Sequence, residues 1–464
     1  MSTPRSADPK RKPGPSRQGP PRQGPPRQGP PQQGPRHKAD AVRPAPPERR
    51  AAAAPPERRA LTNVGGATVL EGDPADAAML SHALDVASSS TAEEAARAHV
   101  HGFHSYPARM HPDTARRLIE GLSRPGERVL DPFCGSGTVL VEARLAGRAA
   151  VGVDANPLAV RLARLKVQGS TPGERERLVA AAREVAAAAD ERRKARAGPS
   201  RRYGPEDVAL FEPHVLLELD GLRVGLDRLT GHGAEALRED LELVLSAILT
   251  KLSRRASDTS EHELPRRIAA GYPARLFIRK AEELAQRLAD VAAPLGANPP
   301  AIVEEGDARV LRGVEPGSVH LAVTSPPYPG VYDYLAHHEA RLRWLRLRSA
   351  RFEQDEIGAR RHLDPLGPEA GRARWREELG GVLVSLARVL RSGAPLVLLI
   401  ADSVVSGAPV YAVDVVRAAA SGASGARFTV RAVASQPRPH FHRPTARAFQ
   451  RRPRHEHAIL LIRG

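Results

Sequence analysis

The arrangement of apolar residues divides the chain into strand-like runs that alternate with helical stretches. Short apolar runs, typical of strands buried in a parallel sheet, occupy or begin the ranges 128–131, 149–153, 301–307, 319–323 and 395–400. Two further runs, 428–434 and 457–462, lie close enough in sequence to form a hairpin. We therefore predict an α/β fold with a Rossmann-like sheet of seven strands, in which the last strand pair is antiparallel.

The middle of the chain has a helical rather than a strand-like periodicity. Residues 157–300 are helical in pattern almost throughout, which is too long for one crossover between neighbouring strands. We predict a helical insertion over residues 169–299 and expect nucleic-acid recognition there. The insertion would separate an N-terminal part of the sheet domain, residues 73–168, from a C-terminal part, residues 300–464.

The first 60 residues have the composition of a disordered tail. They hold 16 of the 43 prolines and repeat the unit Arg-Gln-Gly-Pro-Pro, so they contain too little apolar surface to form a core. These residues include fourteen Lys and Arg and only four acidic residues, so the tail carries more than half of the chain's net charge of +17. Such a tail attracts polyanions without sequence preference; a solvated tail without a partner is the alternative.

Several classes of protein are disfavoured by the composition. The single cysteine, Cys134, excludes an internal disulfide and a cysteine-based metal cluster. The histidines His101, His104 and His111 lack the accompanying ligand spacing of a metal site, and we predict none. Apolar runs stay below the 18 or so residues needed to span a membrane, and we find no apolar signal segment. We expect a soluble, cytoplasmic protein without a membrane partner.

A glycine turn follows the first predicted strand. The strand ends at Asp131, and the turn contains Gly135 and Gly137, which suit a backbone that adopts positive φ or approaches a ligand closely. The next strand ends at Asp154. In βαβ nucleotide-binding units an acidic residue at this place accepts hydrogen bonds from ribose hydroxyls. The order of strand, turn, helix, strand and acid predicts a site for a nucleotide-like cofactor.

A second motif, Ser325-Pro326-Pro327-Tyr328, follows the fourth predicted strand. The hydroxyl of Ser325 and the carbonyl of Pro326 can accept hydrogen bonds, and consecutive prolines stiffen the backbone. The ring of Tyr328 can stack on a flat substrate. This motif predicts the place where a planar, polar substrate is held.

These motifs resemble those of the S-adenosylmethionine-dependent DNA amino-methyltransferases, which methylate N4 of cytosine or N6 of adenine and occur in restriction-modification. The family's cofactor motif is similar to Asp131-Pro132-Phe133-Cys134-Gly135-Ser136-Gly137-Thr138, and its catalytic motif to Thr324-Ser325-Pro326-Pro327-Tyr328. The loop Phe103-His104-Ser105-Tyr106-Pro107-Ala108-Arg109 resembles the segment that closes over the methionine end of the cofactor.

The resemblance implies a class I methyltransferase fold, S-adenosylmethionine as the cofactor and DNA as the partner. It implies catalytic roles for Ser325, Pro326, Pro327 and Tyr328. It implies cofactor contacts for Phe103, His104, Tyr106, Asp131, Phe133, Gly135, Ser136, Gly137, Thr138, Asp154 and Asp307. In this scheme Asp154 binds the ribose and Asp307 the adenine amino group. Further candidates for substrate contact are Tyr332, Tyr334, Arg254 and Arg255, although the two arginines equally suit a solvated helix end.

The motifs leave several reactions open. Serine at the first catalytic position, Ser325, favours cytosine N4, whereas a cofactor motif that precedes the catalytic motif is more familiar among adenine enzymes. Methylation of cytosine C5 needs a cysteine nucleophile, and we discount it because Cys134 lies inside the glycine turn. The alternatives are an RNA amino-methyltransferase, for example one acting on guanine N2, and a nucleic-acid-binding relative that has lost catalysis.

Overall fold

The computed structural model describes residues 67–464 except 87–88, 232, 258–265, 422–426 and 439–442. The tail at residues 1–60, which we predict to be disordered, lies outside the described residues. None of the helices in the described ranges is long and apolar enough to cross a membrane.

The strands are β1 (Val69–Gly72), β2 (Arg128–Asp131), β3 (Ala149–Asp154), β4 (Ala301–Glu305), β5 (Leu321–Thr324), β6 (Pro395–Ala401), β7 (Ser403–Val405), β8 (Ala408–Val410), β9 (Phe428–Pro437) and β10 (His455–Arg463). Eight of them form one sheet in the order β1-β9-β10-β6-β5-β2-β3-β4, and β7 pairs with β8 separately. Within the group β2 to β6, every pair of neighbouring strands is parallel. Strand β10 runs antiparallel to both β6 and β9.

The helices are α1 (Pro74–Leu84), α2 (Ser90–Ala95), α3 (Pro112–Leu122), α4 (Thr138–Leu145), α5 (Pro157–Val167), α6 (Pro172–Lys194), α7 (Pro205–Leu210), α8 (Pro213–Asp227), α9 (Ala234–Leu252), α10 (Tyr272–Ala297), α11 (Tyr334–Trp344), α12 (Ala350–Asp355), α13 (Arg360–Leu363), α14 (Gly367–Val389), α15 (Ala412–Ala420) and α16 (Arg443–Ala448). Short 3-10 helices occupy His99–Gly102 and Asp364–Leu366.

The predicted α/β fold, with parallel strands and an antiparallel final pair, is confirmed. The predicted number of seven strands is wrong, because β1 adds an eighth at the edge of the sheet, antiparallel to β9. All four residues of β1 are exposed. An edge strand of this kind is held by backbone hydrogen bonds, so its side chains need not show the burial pattern by which a strand is recognised.

Alternate residues of the parallel strands enter two apolar cores, one on each face of the sheet. Val129 of β2 belongs to the first core and its neighbour Leu130 to the second, as the two-residue period of a strand requires. Helices α14 and α15 cover the second core. On the first face, Leu219 of α8 and Ile248 of α9 belong to the same cluster as Leu140 of α4. The helices between residues 172 and 297 therefore share the core of the sheet.

Candidate active site

Neighbouring parallel strands bring the two predicted motifs to one edge of the sheet. Strand β2 ends at Asp131, β3 at Asp154 and β5 at Thr324. The strand order β5-β2-β3-β4 places these carboxyl ends side by side, which is where parallel α/β sheets bind ligands. The glycine turn and the Ser-Pro-Pro-Tyr turn are thus adjacent.

A hydrogen bond joins the two motifs directly. Thr324 Oγ1 donates to Asp131 Oδ1 at 2.6 Å, across a sequence separation of 193 residues. The backbone N–H of Phe133 donates to the same oxygen at 3.1 Å. Burial raises the pKa of Asp131 to about 7, against the lowering effect of these two hydrogen bonds. Asp131 therefore connects the strand that carries the cofactor motif to the strand that carries the catalytic motif.

The glycine turn has the backbone geometry that only glycine adopts without strain. Gly135 has φ of 50° and Gly137 has φ of 85°. A Cβ at Gly137 would lie 3.0 Å from the Cα atom of Ala163 in α5, and one at Gly135 would lie 3.3 Å from the ring of Tyr106. The first glycine therefore keeps space beside Tyr106, and the second lets α4 start against α5.

Asp154 faces the glycine turn from the end of β3. Its Oδ2 accepts the N–H of Gly135 at 2.8 Å, and its Oδ1 accepts the N–H of Asn156 at 2.8 Å. Burial raises the pKa of Asp154 to about 6, because desolvation outweighs these two hydrogen bonds. Each carboxylate oxygen keeps lone-pair capacity for a further donor, such as a ligand hydroxyl.

Two adjoining cavities open at this edge of the sheet. The larger has Asp154, Asp307, Pro327 and Tyr334 among its lining residues. The smaller is lined in part by the glycine turn. The residues that line both cavities are Tyr106, Ala108, Phe133, Gly135 and Ser325. We call the two cavities together the cleft.

The residues of the cleft fit S-adenosylmethionine. Ser136 Oγ is buried and has no hydrogen-bond partner among the described residues, and its side chain lines the smaller cavity. Asp154 offers acceptors for ribose hydroxyls. The larger cavity has apolar walls from Phe352 and Ile357, which suit an adenine ring. Buried polar groups normally have a partner, so Ser136 marks a place for a polar ligand group.

Asp307 follows β4 and is already engaged by a neighbouring arginine. Its Oδ2 lies 2.8 Å from Arg309 Nη2, and its Oδ1 accepts the Arg309 backbone N–H at 2.8 Å. Asp307 nevertheless lines the larger cavity. Its contact with an adenine amino group stays a prediction.

Asn156 is a residue of the cleft that the motifs did not single out. Its Oδ1 accepts the N–H of Leu158 at 3.0 Å and so caps α5. Its Nδ2 donates to His338 Nδ1 at 2.9 Å, and the His338 ring lies 4.8 Å from that of Tyr106, centroid to centroid. The sequence carried a usable signal, because Asn followed by Pro is a typical helix start.

Phe103 and His104 do not line the cleft, although the resemblance implied cofactor contacts for both. The ring of Phe103 is buried and lies 5.0 Å from Lys280 Nζ. His104 Nε2 is 2.9 Å from Ser246 Oγ and 2.8 Å from Arg341 Nη1. These contacts hold the two rings in the core, whereas Tyr106, Ala108 and Arg109 of the same loop line the cleft.

The catalytic turn presents Ser325 and Pro327 to the cleft, while Pro326 is buried. The hydroxyl of Tyr328 donates to Glu456 Oε1 at 2.9 Å and accepts from Ser325 Oγ at 3.5 Å. Burial raises the pKa of Tyr328 to about 12, so the phenol remains protonated and can donate. The sequence did not indicate Glu456, because it lies 128 residues further along the chain.

The further substrate candidates separate into two groups. Tyr334 lines the cleft, and the ring of Tyr332 lies 5.3 Å from that of Tyr334. Arg254 pairs with Glu212 at 3.0 Å, and Arg255 is exposed. Neither arginine is among the residues that line the cleft. The structure therefore brings the tyrosines, but not the arginines, to the predicted catalytic motif.

Helix α12 and the residues after it close one side of the cleft, which no sequence motif indicated. Phe352, Glu356 and Ile357 are buried and line the larger cavity. Glu356 Oε1 accepts the N–H of Tyr334 at 2.7 Å, so the wall is fixed to the start of α11. Only the tertiary fold brings this segment, about 30 residues beyond the catalytic motif, back over the site.

A group of possible metal ligands lies outside the cleft. Candidate atoms of His99, His101 and Glu142 lie within 4.8 Å of one another. Burial raises the pKa of Glu142 to about 8 and lowers that of His101, which favours a neutral hydrogen-bonded pair, 2.7 Å apart. Arg109 also acts on His101 and would repel a cation. We assign no metal to this group.

Residues 80–165, which include the glycine turn, match a family model described as DNA methylase. Type II methyltransferase M.MjaII of Methanocaldococcus jannaschii is 32% identical over 84 residues, which is 18% of this chain and 16% of that protein. Type II methyltransferase M.MvaI of Kocuria varians is 35% identical over 82 residues, 17% and 18% of the two chains. The tRNA (guanine(10)-N2)-dimethyltransferase of Methanothermobacter thermautotrophicus is 49% identical over 51 residues, 11% and 15%.

The chain spans less than a fifth of the length of these curated relatives. The resemblance indicated by the motifs is confirmed over residues 80–165, and with it S-adenosylmethionine as the cofactor.

Proposed function

We propose that the chain methylates an exocyclic amine of a base in DNA, with cytosine N4 favoured over adenine N6. The proposal starts from the similarity of residues 80–165 to the DNA methylases. The observation that carries the proposal is the position of Ser325. This residue lines both cavities of the cleft, beside the glycine turn in one and near Asp154 in the other. A methyl donor held by the first motif and an amine held by the second would therefore meet.

S-adenosylmethionine, when bound, supplies the methyl group. The chain's own residues bind and orient it: Asp154 accepts from the ribose hydroxyls, Ser136 of the glycine turn holds the methionine portion, and Asp307 accepts from the adenine amino group. The N–H groups of Gly135 and Gly137 already donate to Asp154 Oδ2 and to the carbonyl of Cys134, both at 2.8 Å, so we assign them no amide contact with the cofactor. Phe352 contributes an apolar wall. This division of roles follows the polarity of each part of the cleft.

The catalytic turn addresses the weak nucleophilicity of an exocyclic amine, whose lone pair is delocalised into the ring. The hydroxyl of Ser325 and the carbonyl of Pro326 accept hydrogen bonds from the amino protons as positive charge develops on nitrogen. Because both acceptors are held before the reaction begins, they stabilise that charge without reorganisation. The reaction then needs no covalent enzyme intermediate, in agreement with Cys134, which is buried in the glycine turn.

Tyr328 supplies the face on which the extruded base stacks. Its hydroxyl is held by Glu456 at 2.9 Å, which restricts rotation of the ring. Stacking of a base on an aromatic side chain contributes about 1–3 kcal/mol. Tyr334, which lines the cleft, and its neighbour Tyr332 extend this aromatic surface.

The target base is proposed from the first position of the catalytic motif, because Ser325 matches the serine of many cytosine-N4 enzymes. The proposal includes a cytoplasmic location, which the single unpaired cysteine, Cys134, supports.

Methylation of RNA, at guanine N2 or another amine, is the second candidate. The observation that favours it is the 49% identity to the tRNA dimethyltransferase over 51 residues. The Ser325 form of the catalytic motif supports DNA over RNA, because guanine-N2 enzymes more commonly carry Asp at that position.

The test is to incubate the protein with isotope-labelled S-adenosylmethionine and either duplex DNA or RNA, and to identify the methylated nucleosides by mass spectrometry. N4-methylcytosine in DNA is the expected product. Ser325→Ala and Tyr328→Ala should lower kcat far more than cofactor affinity, whereas Asp154→Ala should mainly weaken the cofactor. Label in RNA alone would refute the DNA proposal, and full activity of both turn variants would refute the catalytic assignment.

A further inference from the structure

The positive charge of the chain is distributed unevenly. The helical insertion, residues 169–299, carries twenty-one basic and twenty-one acidic residues and is therefore neutral. Residues 427–464 carry nine arginines and one acidic residue, Glu456. Phosphate contacts supply most of the non-specific affinity of nucleic-acid-binding proteins. The charge distribution thus favours the C-terminal region over the insertion as a surface for a polyanion.

Within this region the arginines cluster in one connection. Residues 438–454, of which 439–442 lie outside the described residues, contain six arginines and no acidic residue, and we call residue 438 together with residues 443–454 the β9–β10 segment. Strand β9 ends at Pro437, and β10 begins at His455. Glu456 at the start of β10 pairs with Ala401 at the end of β6, and β6 is parallel to β5. The segment therefore leaves the sheet at the same edge as the catalytic turn.

The base of the β9–β10 segment is joined to that turn by side chains. Arg438 forms an ion pair with Glu456, whose other carboxylate oxygen accepts from Tyr328. The N–H of Arg438 donates to the Arg454 carbonyl at 2.9 Å, and Arg454 Nε donates to the carbonyl of Asp402 at 2.8 Å. These contacts fix the beginning and the end of the segment beside the proposed base-stacking tyrosine.

The outer part of the segment is anchored by one aromatic residue between two exposed arginines. Phe449 is 3% exposed, and its ring centroid lies 5.8 Å from that of Tyr411 in an edge-on contact. Arg447 and Arg451 flank it and are exposed. Within the described part of the chain, no ion pair is formed by either of them. Arg452, in contrast, pairs with Asp414 at 2.8 Å.

We propose that Arg447 and Arg451 contact phosphates of duplex DNA, and that the β9–β10 segment, rather than the helical insertion, seats the duplex over Tyr328. The inference rests on the proposed function, since it names the surface that brings the DNA to the same site. Its physical basis is that Arg447 and Arg451 are exposed, form no ion pair with the described residues, and flank the buried Phe449 on a segment whose base contacts the catalytic turn.

The experiment measures binding of the full chain to a fluorescent duplex by anisotropy over a series of NaCl concentrations. In duplex DNA each phosphate contact contributes about 0.9 to the slope of log K against log salt concentration. Arg447→Ala/Arg451→Ala should therefore lower the slope by about 1.8 and weaken binding at every concentration. Arg447→Lys/Arg451→Lys, which keeps the charges, should retain most of the slope.

The matched control is Arg177→Ala/Arg228→Ala, which removes two exposed arginines from the insertion and should leave the slope unchanged. Arg254→Ala/Arg255→Ala tests the rival surface. An unchanged slope for the Arg447/Arg451 pair, or an equal loss for either insertion pair, would overturn the inference. If Arg447→Ala/Arg451→Ala lowers the salt slope for RNA but not for duplex DNA, duplex DNA is refuted as the ligand of this surface.

Two further measurements separate this inference from the proposed function. Cofactor affinity, measured by calorimetry, should be equal in the wild type and all four double variants, which shows that the cleft is intact. Methylated nucleoside from the wild-type protein tests the function. If the wild type forms product but the salt slope of Arg447→Ala/Arg451→Ala is unchanged, the binding surface is refuted and the function is not. If that slope is reduced but the wild type forms no product from DNA or RNA, the function is refuted and the surface is not.

Discussion

Substitution of Asp154 tests the cofactor site most directly. The structure gives each carboxylate oxygen one backbone donor, from Gly135 and from Asn156, both at 2.8 Å. Each oxygen retains capacity for one ribose hydroxyl. Asp154→Ala removes both acceptors, and Asp154→Asn replaces one of them by a donor that faces a backbone N–H. We expect both variants to bind S-adenosylmethionine more weakly.

The magnitude follows from the bonds that are lost. A hydrogen bond to a charged group contributes about 1.5–3 kcal/mol. Loss of one ribose bond therefore raises Kd by about 10- to 150-fold, because about 1.4 kcal/mol corresponds to a factor of ten. Loss of a second bond adds to this effect. We expect at least about a tenfold increase for Asp154→Ala.

The assay is isothermal titration calorimetry with S-adenosylmethionine and its demethylated product. Glu305→Gln is the matched control, because Glu305 pairs in register with Asp154 on the next strand, is exposed and lies outside the lining of the cleft. Its Kd should stay within twofold of wild type. A wild-type Kd for Asp154→Ala, or an equal loss for Glu305→Gln, would refute the assignment of the ribose site.

Four further predictions follow from the site and the tail. Because burial raises the pKa of Asp154 to about 6, protonation on acidification should weaken cofactor binding, approaching tenfold per pH unit below that value; calorimetry from pH 5 to 8 should show a steeper dependence in the wild type than in Asp154→Ala, in which Asp131, with a pKa of about 7, still titrates. Thr324→Val deprives buried Asp131 of its 2.6 Å donor and should lower the free energy of unfolding in urea by about 1–3 kcal/mol, whereas Thr324→Ser should remain close to wild type; equal stability of all three proteins would contradict this role. Tyr328→Phe keeps the stacking ring and loses the hydroxyl's bonds to Glu456 and Ser325, so steady-state kinetics on DNA should show a much smaller decrease in kcat than for Tyr328→Ala, and equal decreases would argue against stacking. Deletion of residues 1–60 should leave turnover on short duplexes nearly unchanged and reduce the salt dependence of binding, and an unaltered salt slope would count against a role for the tail.

Much of the fold was predictable from local patterns. Apolar runs such as Pro395–Ala401 identify buried strands, because a strand covered on both faces must be apolar throughout. The exposed edge strand Val69–Gly72 was missed, since it satisfies backbone hydrogen bonds without burying side chains.

The sequence by itself determined the chemistry of the two motifs. Gly135 and Gly137 specify a turn at positive φ, and Ser325 and Tyr328 specify acceptors beside an aromatic ring. Each of these properties belongs to a few consecutive residues, so it can be recognised in the sequence without knowledge of the fold.

Only the tertiary structure decided how these motifs meet. The Thr324–Asp131 bond joins residues 193 apart, and the Tyr328–Glu456 bond joins residues 128 apart. Such pairs depend on strand order and on packing between distant segments, neither of which leaves a local sequence pattern. The same reason explains why His104 lies in the core rather than in the cleft, and why the arginines beside the catalytic turn come from the β9–β10 segment rather than from the helical insertion.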